Sequence, residues 1–331
     1  MTKENLVKYC ENREFDRITV VVRDIFREIA NLQTVFEILP DDVRIRTEKT
    51  DPGLRLPYGG TEYTEKSVSY YFANTELHIV QPVKGVTLYQ KYLDRFGEGI
   101  CCVREHMEEA GFCELDKELT EKGISIPQRC EGAEGKAFWA DLSDELGILY
   151  EACTGTATPV APERRRKERI AQVNITTADV QKTMEKVTDL LHIGPWEVGR
   201  QCNKVVDNPA FRVDGELKDV EFSFLLAILP CGNLEWEIIQ PEKGPLVYNS
   251  FLEHRGTGFH HVLQEVQQEK WEEELQRFED SGIQLACRGT LGVVDWCYMD
   301  TEKELGFYLE LRTDAKMEKL PDGYVQYFYP E

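Results

Sequence analysis

The stretch QPVKGVTLYQKYLDRFGEGICCV, Gln81 to Val103, returns as QPEKGPLVYNSFLEHRGTGFHHV, Gln240 to Val262. The offset is 159 residues, from 81 to 240, and it holds without a gap. It aligns Gly85 with Gly244, Tyr89 with Tyr248, Leu93 with Leu252, Gly97 with Gly256 and Gly99 with Gly258. Further on it aligns Gly123 with Gly282, Asp141 with Asp300, Gly147 with Gly306 and Glu151 with Glu310. Chance does not keep glycines, an aromatic and acids in register from Gln81 to Glu151. The chain therefore reads as a tandem duplication. Its copies cover 14–155 and 168–315, within a first domain at 1–155, a linker at 156–168 and a second domain at 169–331.

Working outward from the repeat, the second copy shows its elements most clearly. RIAQVNI reads as a strand. TADVQKTMEKVTDLLHI reads as an amphipathic helix, with Val180, Met184, Val187 and Leu191 at helical spacing. VEFSFLLAIL and NLEWEIIQP read as strands joined by the turn PCGN. GFHHVLQEV is a strand, KWEEELQRFEDSG a helix, and WCYMDT and GFYLELR are strands. The order is βαβββ twice per domain. The expected fold is α+β, with tandem βαβββ modules closing an eight-stranded mixed-sheet cup in each domain and helices outside. A concave sheet of this kind is a natural ligand site.

Composition bounds the function. With 41% hydrophobic and 30% charged residues the 331-residue chain is globular, and of a length for two domains. No apolar run approaches the roughly 20 residues that span a bilayer, and the polar start MTKENLVKYCENREFDR lacks the apolar core of an export signal. The ten cysteines show no CxxC pair and read as free thiols in a reducing cytoplasm. A formal charge of −21 repels phosphate backbones, which excludes a nucleic-acid partner. One basic cluster, Arg164, Arg165, Arg166, Lys167 and Arg169, follows the linker-like CTGTATPVAPE. It reads as solvated, with a phosphate contact for a bulky substrate as the alternative.

FLEHRGTGFHHVLQEV resembles the methylmalonyl-CoA epimerase signature, in which a Gly-x-Gly turn enters a His-His strand. The chain thereby resembles the vicinal-oxygen-chelate superfamily over nearly its whole length, twice. That family also includes glyoxalase I, bleomycin-resistance proteins and extradiol dioxygenases. The resemblance implies one divalent metal held by Gln172, Gln240, His261 and Glu310. Such donors suit Zn, Mn, Co, Ni, Mg or Fe. Some glyoxalase I enzymes look similar in having Gln at the position of Gln172, where epimerases have His. An extradiol dioxygenase needs two His and one carboxylate around Fe(II), and only one His falls on these positions. Strand alternation sets Trp236 on the face of Gln240 and Tyr308 on the face of Glu310, as an aromatic pocket wall, with Tyr298 as a further aromatic. It turns His260 away from the site. In the first copy the equivalent positions are Arg17, Gln81, Cys102 and Glu151. Arginine cannot coordinate a cation, so this copy reads as metal-free, with Arg17 paired to Glu151.

In the families it resembles, the metal polarises a carbonyl and stabilises an enediolate as a proton leaves the neighbouring carbon. Glu310 is the implied base and Glu221 the second carboxylate. The expected function is a metal-dependent isomerase, epimerase or racemase acting on a small organic or aromatic carbonyl compound, or on an acyl-CoA. The alternatives are a glyoxalase-like lyase and a non-catalytic ligand-binding protein. A small-molecule substrate is the expected partner, with neither nucleic acid nor membrane. The fused copies stand in for a homodimer, as a monomer or as half of a further dimer.

Overall fold

The computed structural model describes residues 3–38, 45–49, 63–132, 135–155, 164–317, 319–322, 324 and 326–330. The chain divides into two compact units. One runs from Glu11 to Arg169. The other comprises Ile170–Glu331 together with the N-terminal ten residues. Of the expected linker, residues 156–163 lie outside the described residues.

An N-terminal helix, α1 (Lys3–Glu11), packs on the second unit. Its buried Leu6 and Cys10 do this, and the Cys10 thiol reaches the Gly194 carbonyl at 3.2 Å. The polar sequence of this segment gave no sign of that contact.

The first unit contains β1 (Glu14–Val21), α2 (Ile25–Phe36), β2 (Ile45–Lys49), β3 (Thr64–Tyr71) and β4 (Glu76–Lys84). After α3 (Leu88–Phe96) come β5 (Gly99–His106), α4 (Glu109–Glu121), β6 (Ser125–Gly132), β7 (Gly135–Leu142) and β8 (Ile148–Cys153). The strand order is β2-β3-β4-β1-β5-β8-β7-β6. Each βαβββ module places its first strand innermost, where β1 and β5 meet antiparallel.

The second unit repeats this with β9 (Ile170–Thr176), α5 (Val180–Leu191), β10 (Trp196–Cys202), the hairpin β11 (Val206–Val213) and β12 (Glu216–Lys218), β13 (Ser223–Cys231) and β14 (Leu234–Lys243). After α6 (Val247–Arg255) come β15 (Gly258–Val266), α7 (Trp271–Asp280), β16 (Leu285–Leu291), β17 (Val294–Met299), α8 (Glu302–Leu305), β18 (Tyr308–Thr313) and β19 (Gln326–Tyr329). The order is β12-β11-β16-β17-β18-β15-β9-β14-β13-β10-β19. Its middle eight strands match the first unit. The hairpin extends one edge and β19 the other, which makes eleven strands where eight were expected.

Local physics accounts for the elements. In α5, Val180, Met184, Val187 and Leu191 are buried, as their spacing predicts, and Asp179 caps the helix by accepting from the Lys182 amide. The repeated QPxKG glycines, Gly85 and Gly244, sit at φ +86° and +97°, a region side chains avoid. The sheets are mixed and curl into cups. In the second unit the curl brings the rings of Phe211 on β11 and Phe222 just before β13 within 4.8 Å of each other. The ten cysteines are all unbridged. Among the described residues no helix is long and apolar enough to cross a membrane.

Candidate metal centre

Four inner strands of the second unit, ordered β18-β15-β9-β14, converge on one polar cluster. Register decides which side chains meet. Glu237 on β14 lies opposite Asn174 on β9, and Asn174 lies opposite His261 on β15. Paired residues share a sheet face, so these three point into the cup. Glu310 on β18 joins them. His261 Nε2 stands 3.0 Å from Glu310 Oε2 and 3.3 Å from Glu237 Oε2. Asn174 Nδ2 donates to Glu237 Oε2 at 3.0 Å and its Oδ1 accepts from Thr176 Oγ1 at 2.9 Å. Tyr298 donates to Glu310 Oε2 at 2.9 Å and receives the Tyr248 hydroxyl at 2.9 Å. Asn174 and His261 are wholly buried and both carboxylates nearly so.

This burial is costly unless charge is balanced. Two carboxylates face one imidazole, so even a protonated His261 leaves a buried negative charge. Burial pushes the Glu237 carboxyl up, with the neighbouring Glu310 adding to this against the His261 hydrogen bond. Burial lowers His261, but its bonds to Glu237 and Glu310 outweigh that, and the net shift is upward. The donor atoms of Glu237, His261 and Glu310 lie within 4.8 Å of one another. Two carboxylates and an imidazole, with an amide beside them, suit a divalent cation, whose charge would replace the shared proton. The residues present therefore fit a metal.

The structure brings together His261 and Glu310 but not the two glutamines. Gln240 was expected as a ligand. Its Oε1 instead accepts from the Val180 amide at 2.9 Å, satisfying the first turn of α5. Gln81 does the same in the first unit, accepting from the Ile25 amide at 3.2 Å. The repeated glutamine is a helix anchor. Strand alternation puts it on the outer face of β14, three residues from Glu237 on the inner one. Gln172 does face the cup, but one residue pair further along. Its Oε1 is 3.4 Å from Arg312, and its buried Nε2 has no hydrogen-bond partner.

Glu221 is corrected too. It precedes β13, is exposed, and pairs with Lys243 at 2.6 Å, so it is not the second carboxylate. Trp236 shares the outer face of Gln240 and packs on Phe259, 6.1 Å between centroids; it is core, not pocket wall. Tyr308 stacks on His260 at 4.9 Å and 18°. His260 does not turn away as alternation predicted. A bulge between Phe259 and His261 inserts it as an extra residue. Its Nδ1 lies 3.0 Å from His261 Nδ1. Burial, with His261 beside it, holds His260 well below the usual imidazole range. The residues that reading missed are Asn174 and Glu237. Both lie in alternating runs, AQVNIT and LEWEII, whose periodicity names a face but not a position along it.

In the first unit Arg17 pairs with Glu76 at 2.9 Å rather than with Glu151, whose neighbour is Arg104 at 3.8 Å. The basic cluster also stays with this unit. Arg164 covers the Tyr71 ring at 5.0 Å and Arg165 donates to the Phe72 carbonyl at 3.3 Å.

Residues 171–298 match the model of the Glyoxalase/Bleomycin resistance protein/Dioxygenase superfamily, that is, the vicinal-oxygen-chelate proteins. This segment, which lies within the second unit, is similar to that superfamily. Both units also find counterparts in fold among solved structures. A variant of 4-hydroxymandelate synthase from Streptomyces coelicolor superposes over 94% of this chain and 95% of its own, with a TM-score of 0.61 at 12% identity. The 2,2',3-trihydroxybiphenyl 1,2-dioxygenase of Sphingomonas wittichii strain RW1 covers 92% and 91%, with a TM-score of 0.50 at 12% identity. At such identity the likeness is one of fold. No curated protein matches the chain in sequence.

Proposed function

We propose that this vicinal-oxygen-chelate protein is a metal-dependent enzyme that moves a proton on the carbon next to a carbonyl, as an isomerase or epimerase or as a glyoxalase-like lyase. The observation carrying this reading is the donor set. Glu237, His261 and Glu310 give two carboxylates and one imidazole, with Asn174 beside them. Non-haem iron oxygenases use two His and one carboxylate, and this set, with one His and two carboxylates, departs from that pattern.

A bound divalent ion would supply Lewis-acid polarisation of a substrate carbonyl. The chain supplies the rest. Glu237 and Glu310 approach His261 from strands on opposite sides, so they can serve as proton acceptor and donor. Tyr298 holds Glu310 Oε2 in place and is held in turn by Tyr248. The apolar cluster around the site, with Phe224, Leu226, Ile239, Trp296 and Tyr308, excludes water and favours an apolar or aromatic substituent on the substrate.

The test is solvent hydrogen–deuterium exchange at the carbon next to the carbonyl of a panel of 2-oxo and 2-hydroxy carbonyl compounds. Exchange is expected in metal-loaded protein and is lost in Glu310→Gln and Glu237→Gln. Oxygen consumption without exchange would overturn the reading and favour oxidative chemistry.

A further inference from the structure

After β18 the chain does not simply end. Two glycines mark the path of its C-terminal tail. At Gly292, in the β16–β17 turn, an added Cβ would stand 3.0 Å from the Met317 sulfur. At Gly199, within β10, an added Cβ would stand 2.1 Å from both Cζ and Oη of Tyr324. Glycine inside a strand weakens it and marks a close approach. Here the approaching group is the Tyr324 ring. The tail then pairs with the β10 edge, with Gly199 opposite Gln326 and Trp196 opposite Tyr329. It thus runs from the β16–β17 side of the curled sheet to its opposite end.

Register shows which face the ring occupies. Gly199 lies opposite Leu226, Leu226 opposite Ile239, and Ile239 is two residues from Glu237 on the same strand. Gly199, and so the ring upon it, belongs to the inner face. Tyr324 packs against the apolar cluster that includes Leu226, Ile239, Tyr248 and Tyr298. Burial, with Glu197 and Glu237 nearby, raises its phenol above the usual range, so it stays neutral.

We infer that Tyr324 is a specificity-determining residue of this cup: seated on Gly199, it walls the apolar interior beside Glu237, His261 and Glu310 and limits the apolar group a ligand can bring there. That the cup takes a metal-chelating substrate rests on the function proposed above; the wall itself does not.

Two measurements test it. On cobalt-loaded protein, acetohydroxamate and 2-naphthohydroxamate serve as small and large chelating probes. On metal-free protein, a neutral naphthalene dye reports the apolar interior alone. In Tyr324→Ala the large probe gains about tenfold or more relative to the small one, the worth of burying part of an aromatic ring. Dye binding strengthens in parallel, and cobalt affinity stays unchanged. Gly199→Ala, which displaces the ring without removing it, moves both readouts the same way, and Tyr324→Phe behaves as the parent. Unchanged probe selectivity and dye binding in both Tyr324→Ala and Gly199→Ala would overturn the inference. If no protein binds cobalt, the metal reading fails and the dye result alone decides the wall.

Discussion

The two units are copies with the same strand order, yet their cups hold opposite chemistry. Where the second unit has Asn174, Glu237, His261 and Glu310, the register of the first puts Thr19, His78, Cys102 and Glu151. The surroundings follow suit. Arg17 pairs with Glu76 at 2.9 Å, and Arg104 forks onto Asp16 at 2.7 and 2.8 Å. Arginines thus supply the cations of the first cup, whereas in the second Arg312 is taken up by Glu235, and Glu237 and Glu310 share the single imidazole of His261. What both cups share is scaffold. Trp139 donates to Tyr89 at 3.2 Å just as Tyr248 donates to Tyr298 at 2.9 Å, and Gln81 and Gln240 each anchor a helix start. Repetition thus marks the residues that build a cup, and of the four site positions only Glu310 is repeated, as Glu151.

The largest effect expected from this contrast is on metal content. His261→Ala or Glu310→Gln empties the second cup, while Cys102→Ala or Glu151→Gln leaves the ion count unchanged, as read by elemental mass spectrometry on purified protein. Metal lost on changing the first cup would break the contrast.

A buried acid in the first unit gives the next effect. Glu28 on α2 is fully buried, neither carboxylate oxygen has a hydrogen-bond partner, and burial pushes it up to about 8. A carboxyl raised in the folded state stabilises the fold below its unfolded value near 4.5, and that contribution is lost as pH rises through about 8. Stability should therefore fall between those limits, by at most about 1.4 kcal/mol per pH unit. Glu28→Gln flattens this slope. Denaturant melts at pH 5 and pH 8 check it, and equal slopes in parent and variant would contradict it.

Gln81→Ala and Gln240→Ala should each cost only about 1 kcal/mol, the net worth of one hydrogen bond. Neither should change metal content. The smallest effect is expected from grafting. Thr19→Asn, His78→Glu and Cys102→His together should confer no cobalt binding on the first cup. Binding should appear once Arg17→Gln and Arg104→Leu remove the internal cations, as a rise in visible cobalt absorption.

The fold was legible because it was written twice. Glycines at positive φ, a helical apolar stripe in α5 and alternating strands all agree on βαβββ. Of the candidate site, the sequence reading named His261 and Glu310, both from the resemblance. Elsewhere the difficulty was one of register. Gln172 and Asn174 lie on the same face of β9, and only the pairing of β9 with β14 and β15 shows that Asn174 meets Glu237 and His261. Gln240 was named by the resemblance, but it repeats, with Gln81, because each anchors a helix start, α5 and α2. His260 was misplaced because a bulge breaks alternation at that point, and a bulge has no signature in GFHHV. The tail was unreadable for another reason: β19 is an edge strand whose partner lies far back in the chain, and the tail's traces in the sequence are glycines at 199 and 292.

The most direct test sets Glu237 against Gln240. Each would be replaced by Ala and both proteins measured for bound divalent metal beside the parent. The account predicts about one ion per chain in the parent and in Gln240→Ala, and none in Glu237→Ala. Metal retained in Glu237→Ala and lost in Gln240→Ala would contradict it.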